Sequence, residues 1–279
     1  MEFKGQSTDN FDMIDARDNR IANLPNMLTS CMKLQDLLLD GNQITDLKNP
    51  LKVLIKIKHI KKLGLKNQRN GPCVLQALPS SFFRLEALQE VYLGQNGFSE
   101  FPAVLCEMMN LKIIDMENNK IEQVPNEIGQ LTELEYLGLR KNNIKALPET
   151  IGSLRRLKVL RLSENKIGFL PDRICELENL QTLSLKRNPL VALPEHFYKL
   201  TKLTQPGTYK VDAYDMEYGN LCSLPKSSLR FPPKDIVEEG LEDIMEHLKA
   251  LQRNPKMLES QLKEAGIRIK PKPGIVHEQ

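Results

Sequence analysis

The chain has 279 residues, 41% of them hydrophobic and 27% charged, and its 39 Lys+Arg against 36 Asp+Glu leave a net charge of +3. That balance is too even to imply a polyanionic partner by itself, and the length exceeds one typical compact domain. No run of 18 or more apolar residues occurs, so the sequence offers no membrane-spanning helix.

Residues 1–10, MEFKGQSTDN, read as an N-terminal extension. They lack the apolar core of a signal peptide, Gly5 is not placed for myristoylation, and the ending VHEQ is not a prenylation box. The first apolar pattern opens at Phe11, with Ile14, Ala16 and Asn19 in the key places and Leu24-Pro25 after them. A second opens at Leu34 with Leu37, Leu39 and Asn42, but no proline follows its Leu47, and the next start, Ile60, comes 26 residues on. The third has Leu63, Leu65 and then Gln68 where its neighbours carry asparagine. Five extra residues precede Leu78-Pro79, and Asn70-Gly71-Pro72 among them is a turn signal. Units two and three are expected to be the least stable, with Gln68 interrupting an asparagine ladder and two insertions breaking the stacking.

From Leu88 the register settles. Starts at residues 88, 111, 134, 157 and 180 lie 23 residues apart, with Asn96, Asn119, Asn142, Asn165 and Asn188 in equivalent places. Eight units therefore fill residues 11–202. In Leu134–Pro148, LEYLGLRKNNIKALP, the alternation Leu137-x-Leu139 makes a short strand whose Tyr136, Gly138 and Arg140 face away from the core. Asn142 falls where the chain turns out of the strand and can satisfy backbone groups left there. Leu147-Pro148 opens the return arm, where proline forbids a strand ladder, and Ile151-x-x-Leu154 has the spacing of one helical turn. No such unit can bury its own apolar face, so stability must come from stacking.

After Leu200 the pattern degrades over residues 203–252. Leu203 starts a ninth unit in which Pro206, Thr208 and Val211 replace leucine, leucine and asparagine, and Asn220–Pro225 (NLCSLP) closes the array. Phe231-Pro232-Pro233 leads into an amphipathic helix expected over Asp235–Leu251, read as a C-terminal cap. The polar stretch 253–279, with Lys270-Pro-Lys-Pro-Gly274 near its end, predicts a short helix at most.

A period of 20–29 residues in the form L-x-x-L-x-L-x-x-N-x-L is the leucine-rich repeat signature. The expected fold is an α/β solenoid: a right-handed horseshoe with parallel concave strands, short helical or 3₁₀ turns on the convex side and a helical C-terminal cap. The 23-residue unit with LP at its turn and I-x-x-L behind it resembles the short intracellular "Ras-group" leucine-rich repeat proteins, over residues 11–250. The stretch FPPKDIVEEGLEDIMEHL resembles the segment after the last repeat in many of them. The resemblance implies a scaffold or adaptor in signalling, with protein partners such as small GTPases or phosphatases. This chain carries no kinase, GTPase, PDZ or RING segment, so its function must lie on the solenoid surface.

Five cysteines cannot all pair, and Cys106 and Cys175 occupy equivalent positions where a small buried thiol fits; Cys31 reads the same way. No clustered cysteines cap the ends and no Asn-x-Ser/Thr sequon occurs, which predicts a reducing, cytoplasmic setting, the nucleus included as an alternative.

Parallel strands place outward residues in columns. Tyr92, Ile113, Tyr136 and Val159 are expected to form an exposed apolar island, with Asp115 and Glu117 beside it and Arg140, Arg161 and Lys186 flanking it. Aromatics beside arginines are the material of protein-binding hot spots. A second reading is a basic patch over Lys48–Lys66 that contacts phospholipid or nucleic acid, although no aromatics interleave for base stacking. The histidines (His59, His196, His247, His277) are scattered, with no H-x-x-x-H, no C-x-x-C, no glycine-rich phosphate loop and no G-x-S-x-G. Neither catalysis, nor a cofactor, nor a small-molecule substrate is expected.

Overall fold

The computed structural model describes residues 11–71, 73–203, 208–211, 216–219, 221–225 and 227–267. The N-terminal extension, Pro72, Pro206, Asn220 and the Lys270–Gly274 tail lie outside the described residues.

Each unit contributes a three-residue strand, and all pair in parallel in chain order. Met13–Asp15, Asp36–Leu38, Lys62–Gly64, Glu90–Tyr92, Ile113–Asp115, Tyr136–Gly138, Val159–Arg161 and Thr182–Ser184 follow one another across one sheet. A ninth strand, Leu221–Ser223, pairs with Thr182–Ser184, so the NLCSLP fragment does close the array. The register puts like on like: Leu137 pairs with Ile114 on one side and Leu160 on the other. These central residues point inward and are wholly buried. Thr208–Val211 and Met216–Gly219, part of the degenerate ninth unit, pair instead as an antiparallel hairpin.

Prolines set the outer arm. Pro79, Pro102, Pro125, Pro148 and Pro171 each hold φ between −65° and −72° immediately before a five-residue 3₁₀ turn. Where Leu47 lacks its proline, three extra residues build an α-helix instead, α1 at Lys48–Leu54. Successive 3₁₀ turns pack closely: a Cβ added to Gly152 would lie 2.3 Å from the Arg173 carbonyl oxygen. Cys106 and Cys175 occupy the corresponding small-residue position, and burial pushes both thiols up to about 12. Cys31 is likewise a buried cysteine.

The asparagine ladder is continuous, and Gln68 belongs to it. The Asn142 side-chain amide donates to the Met116 and Leu139 carbonyls at 3.0 Å each, and its oxygen accepts from the Ile121 N–H at 3.0 Å. Gln68 reaches the same kinds of group with one more methylene. It donates to Leu39 O at 2.6 Å and accepts from the Ile44 N–H at 3.1 Å, while its own N–H bonds Asn96 Oδ1 at 2.8 Å. The expected interruption at Gln68 is therefore corrected, while the two insertions remain as the other reason for placing the weakest units there. The five-residue insertion folds outward as a small antiparallel pair, Arg69–Asn70 with Cys73–Val74, turned at Gly71 with φ 60°.

In every unit the residue before the ladder amide is left-handed. Asp18, Asn67, Gln95, Asn118, Lys141, Glu164 and Arg187 have φ of 52–61°, and the second unit meets the requirement with Gly41. A left-handed non-glycine residue costs roughly 1–2 kcal/mol, partly offset in glycine by the roughly 0.5–1 kcal/mol entropy that glycine gives up on folding. Lys141→Gly is therefore expected to raise the unfolding free energy by about 0.5–1 kcal/mol. Urea denaturation checks this, and a destabilised variant would contradict it.

The C-terminal cap is two helices rather than the single one expected over Asp235–Leu251. Gly240, at φ 145°, separates α2 (Lys234–Glu239) from α3 (Leu241–Leu251). Val237, Ile244, Leu248 and Leu251 of these helices are buried in the same core as Phe197, Leu200 and Leu203. The polar stretch then begins with α4, Pro255–Glu264, whose Asn254 side chain accepts from the Met257 N–H at 3.3 Å.

Candidate protein-binding face

Strands with outer 3₁₀ turns curve the array, and the sheet forms its inner face. Strand residues one and three, together with the residue two further on, stand on that face in columns. Residues of one column stand about 4.8 Å apart and neighbouring columns roughly 7 Å apart, so long side chains of one column reach those of the next.

The expected apolar island is there but is not exposed. Tyr92, Tyr136 and Val159 have no accessible surface and Ile113 keeps 6%. Two glycines and four charges explain the correction. Lys66 of unit three reaches past Gly94 to place Nζ 2.5 Å from Asp115 Oδ2 in unit five. Arg161 of unit seven reaches past Gly138 to place Nη1 2.8 Å from Glu117 Oε1, also in unit five. Each cation thus spans two strands across a site with no side chain. A Cβ at Gly94 would fall 3.1 Å from the Glu117 carbonyl, and one at Gly138 would fall 2.9 Å from the Tyr136 ring. The tyrosines lie beneath this ionic cover. Lys66 Nζ stands 5.1 Å from the Tyr92 ring centroid, and Tyr136 OH donates to Glu117 Oε1 at 3.3 Å. Tyr92 OH donates to Glu90 Oε2 at 2.9 Å, and Lys62 sits 3.2 Å from the same carboxylate.

Tyr92, Asp115, Glu117, Tyr136 and Arg161 are therefore brought together, with Ile113 and Val159 packed into the sheet beside them. Arg140 belongs to a second group: it donates through Nε and Nη2 to Glu164 Oε1 at 2.9 and 2.5 Å, and Arg187 bonds the other oxygen at 3.3 Å. Lys186 is exposed at the end of this group. The alternation in the sequence already places Glu90 and Lys66 in the outward columns, though outside the expected island and its flanks; Glu164, one residue beyond those columns, is the member it does not offer.

Burial and, second, the neighbouring Asp115 push the Glu117 carboxyl above its ordinary range, against the pull of Arg161, the Tyr136 hydroxyl and Lys66. A raised carboxyl favours the folded chain when protonated. That contribution is present below the ordinary value of 4.5 and is lost as pH rises through the raised one. The stability of the wild type relative to Glu117→Gln is accordingly expected to fall as pH climbs across that interval. Denaturation curves of both proteins at several pH values check it, and a difference that grows with pH would contradict it.

The basic patch divides. Lys48 and Lys52 stand exposed on α1, and Lys56, Lys58 and Lys61 are exposed in the segment after it. Lys62 and Lys66 turn to the inner face, where carboxylates hold them. Neighbouring lysines in the sequence thus do not make one surface. Among the described residues no group of three His, Cys, Asp or Glu could hold a metal, and no helix is long and apolar enough to cross a membrane.

Two family models match. One, described as a leucine-rich repeat region, covers residues 102–167; the other, described as leucine rich repeat, covers residues 155–205. No curated protein is matched by the sequence. Among solved structures, a leucine-rich repeat protein of Leptospira interrogans is 25% identical, with 80% of this chain and 66% of that one covered and a TM-score of 0.47. The plant peptide hormone receptor RGFR1, solved in complex with RGF2, is 20% identical over 70% of this chain and 31% of its own, with a TM-score of 0.56. The ectodomain of the membrane receptor kinase GASSHO1/SCHENGEN3 from Arabidopsis thaliana, solved with CASPARIAN STRIP INTEGRITY FACTOR 2, is 27% identical over 64% and 24%, with a TM-score of 0.51. This chain spans less than two thirds of each of these structures.

Proposed function

This chain is a leucine-rich repeat protein, and we propose that it acts as a non-catalytic interaction module that holds a protein partner against its inner sheet face. Domains of this kind generally mediate protein–protein interaction. The observation that carries the reading here is the paired ionic cover of units three to seven. Lys66–Asp115 and Arg161–Glu117 fix four charged groups in one geometry over buried tyrosines, so a partner meets a preformed polar surface and loses little ordering entropy on docking. The GASSHO1/SCHENGEN3 ectodomain, a structural neighbour solved in complex with CASPARIAN STRIP INTEGRITY FACTOR 2, fits the same use of the fold. The resemblance to the short "Ras-group" proteins points further, to a cytoplasmic adaptor in signalling with small GTPases or phosphatases among its partners. Buried cysteines outside any disulfide at Cys106 and Cys175 support that setting.

The test is placement of the partner. A photo-crosslinking amino acid in place of Gln95, exposed at the rim of the sheet face, should capture a co-purified protein. The same amino acid in place of Met109, exposed on the outer side, should not. Capture from position 109 alone would overturn the reading.

A further inference from the structure

The outer side of the array changes character along its length. In the place two residues before the next unit begins, units one, two and four carry Met32, Lys58 and Met109, whereas units six and seven carry Arg155 and Glu178. Around the later pair, ion pairs close the surface. Arg155 Nη2 lies 2.6 Å from Glu176 Oε2, Arg173 Nε lies 3.0 Å from Glu176 Oε1, and Arg156 pairs with Glu133. Units one to four differ. Lys48, Lys52, Lys56, Lys58 and Arg84 are all exposed, and no carboxylate among the described residues lies within ion-pair distance of any of them. The acids of this stretch are Asp46, which bonds the Lys48 N–H at 2.9 Å, with Glu86 and Glu107. Four of the seven large hydrophobic side chains exposed among the described residues, Met27, Met32, Phe83 and Met109, also stand here. The parts adjoin in space. Helix α1 lies against the 3₁₀ turn Asn26–Ser30 that carries Met27. Lys58 and Arg84, with Glu86, line one cavity of about 140 Å³ walled by Ile55, Ile57 and Ile60.

We propose that the outer surface of units one to four docks on a lipid bilayer bearing anionic headgroups. Cations without acidic partners, set among exposed apolar side chains, suit both layers of such a surface. The lysines meet the headgroup charge, while methionine and phenylalanine enter the boundary beneath it. Lysine outnumbers arginine four to one among these cations, so the surface offers mobile point charges rather than the planar forks that grip a phosphate or carboxylate in fixed geometry. Phe83 is the one aromatic among the four apolar side chains, which leaves no run of rings for stacking nucleic-acid bases. The outer surface lies across the core from the sheet, so the proposal does not depend on the inner-face reading and leaves that face free.

The chain contains no tryptophan, so Phe83→Trp makes a single fluorescent reporter. With vesicles of phosphatidylcholine and phosphatidylserine its emission should move to the blue; with phosphatidylcholine vesicles alone it should stay. Thr132→Trp, in the place of unit five that corresponds to Met32, should stay with both. Adding K48E and K52E to the reporter protein should weaken vesicle binding about ten-fold, and salt should weaken it in the same direction. M32S with M109S should weaken it at every salt concentration, because the apolar part is not screened. Thermal denaturation verifies that each variant keeps the fold. Should the α1 double variant not fold, R84E and the salt titration carry the same test. No shift with anionic vesicles, an equal shift with neutral ones, or undiminished binding by the charge-reversed protein would overturn the proposal. So would a DNA duplex that binds more tightly than the anionic vesicles and displaces the protein from them.

Discussion

Tyr136→Ala is expected to destabilise the fold by about 3–5 kcal/mol, as loss of a large buried ring does elsewhere. On the sequence alone the residue points outward from a strand, and truncation of such a residue costs about 0.5 kcal/mol or less. The difference lies in what surrounds it. Its ring is fully buried, lies against Gly138 where a Cβ would approach to 2.9 Å, and carries a hydroxyl bonded to Glu117. Removing the ring opens a cavity beneath a half-buried carboxylate and loses one of that carboxylate's donors. Tyr136→Phe separates the two effects, since it keeps the ring and should cost about 1 kcal/mol. Urea denaturation of both variants is the measurement. A Tyr136→Ala loss below about 1 kcal/mol would mean that the ring is solvent-facing after all.

The second large effect is in the ladder. Asn142→Ala should cost about 2–4 kcal/mol, most of it from one group. The Met116 carbonyl keeps the Asn119 amide and the Leu139 carbonyl keeps the Asn165 amide, so each retains one of two donors. The buried Ile121 N–H loses the ladder oxygen that accepts from it. Gln68→Asn is the informative partner variant. The shorter side chain falls short of Leu39 O and Ile44 N across a widened repeat, so restoring the common residue should destabilise the protein. A neutral or stabilising result would show that Gln68 is merely tolerated.

Much of this fold could be read directly. The spacing of Leu137, Leu139 and Asn142 is a local property, repeated until stacking is the only arrangement that buries it. The eight unit starts and the inward set come from that periodicity. What could not be read was the state of the outward columns. Period-two alternation says which way Tyr92 and Tyr136 point, but whether they are wet depends on residues one or two strands away. Lys66 and Arg161 cover them only because Gly94 and Gly138 are vacant positions on the intervening strands, and no single unit shows both halves of that arrangement. The helix break at Gly240 and the replacement of a 3₁₀ turn by α1 escaped for a smaller reason. Apolar spacing survives both changes, so periodicity is blind to them.

The ladder also has a direction. The amide of each unit bonds the carbonyl and N–H of the unit before it, so a turn is finished by the residues that come next in the chain: Ile21 by Asn42, Ile121 by Asn142, Ile167 by Asn188. Behind the eighth unit the described residues close the turn differently: the Ser228 hydroxyl lies 2.8 Å from the Leu190 carbonyl, with Arg230 N–H on Val191 O. A chain made from its N-terminus therefore carries one open turn at its growing end until residues 228–230 have emerged, and shortening is asymmetric. Removing units from the front bares an amide that water can satisfy. Removing the segment behind unit eight leaves the final turn unclosed and its apolar neighbours uncovered, which makes that segment the clasp on which the length of the array depends.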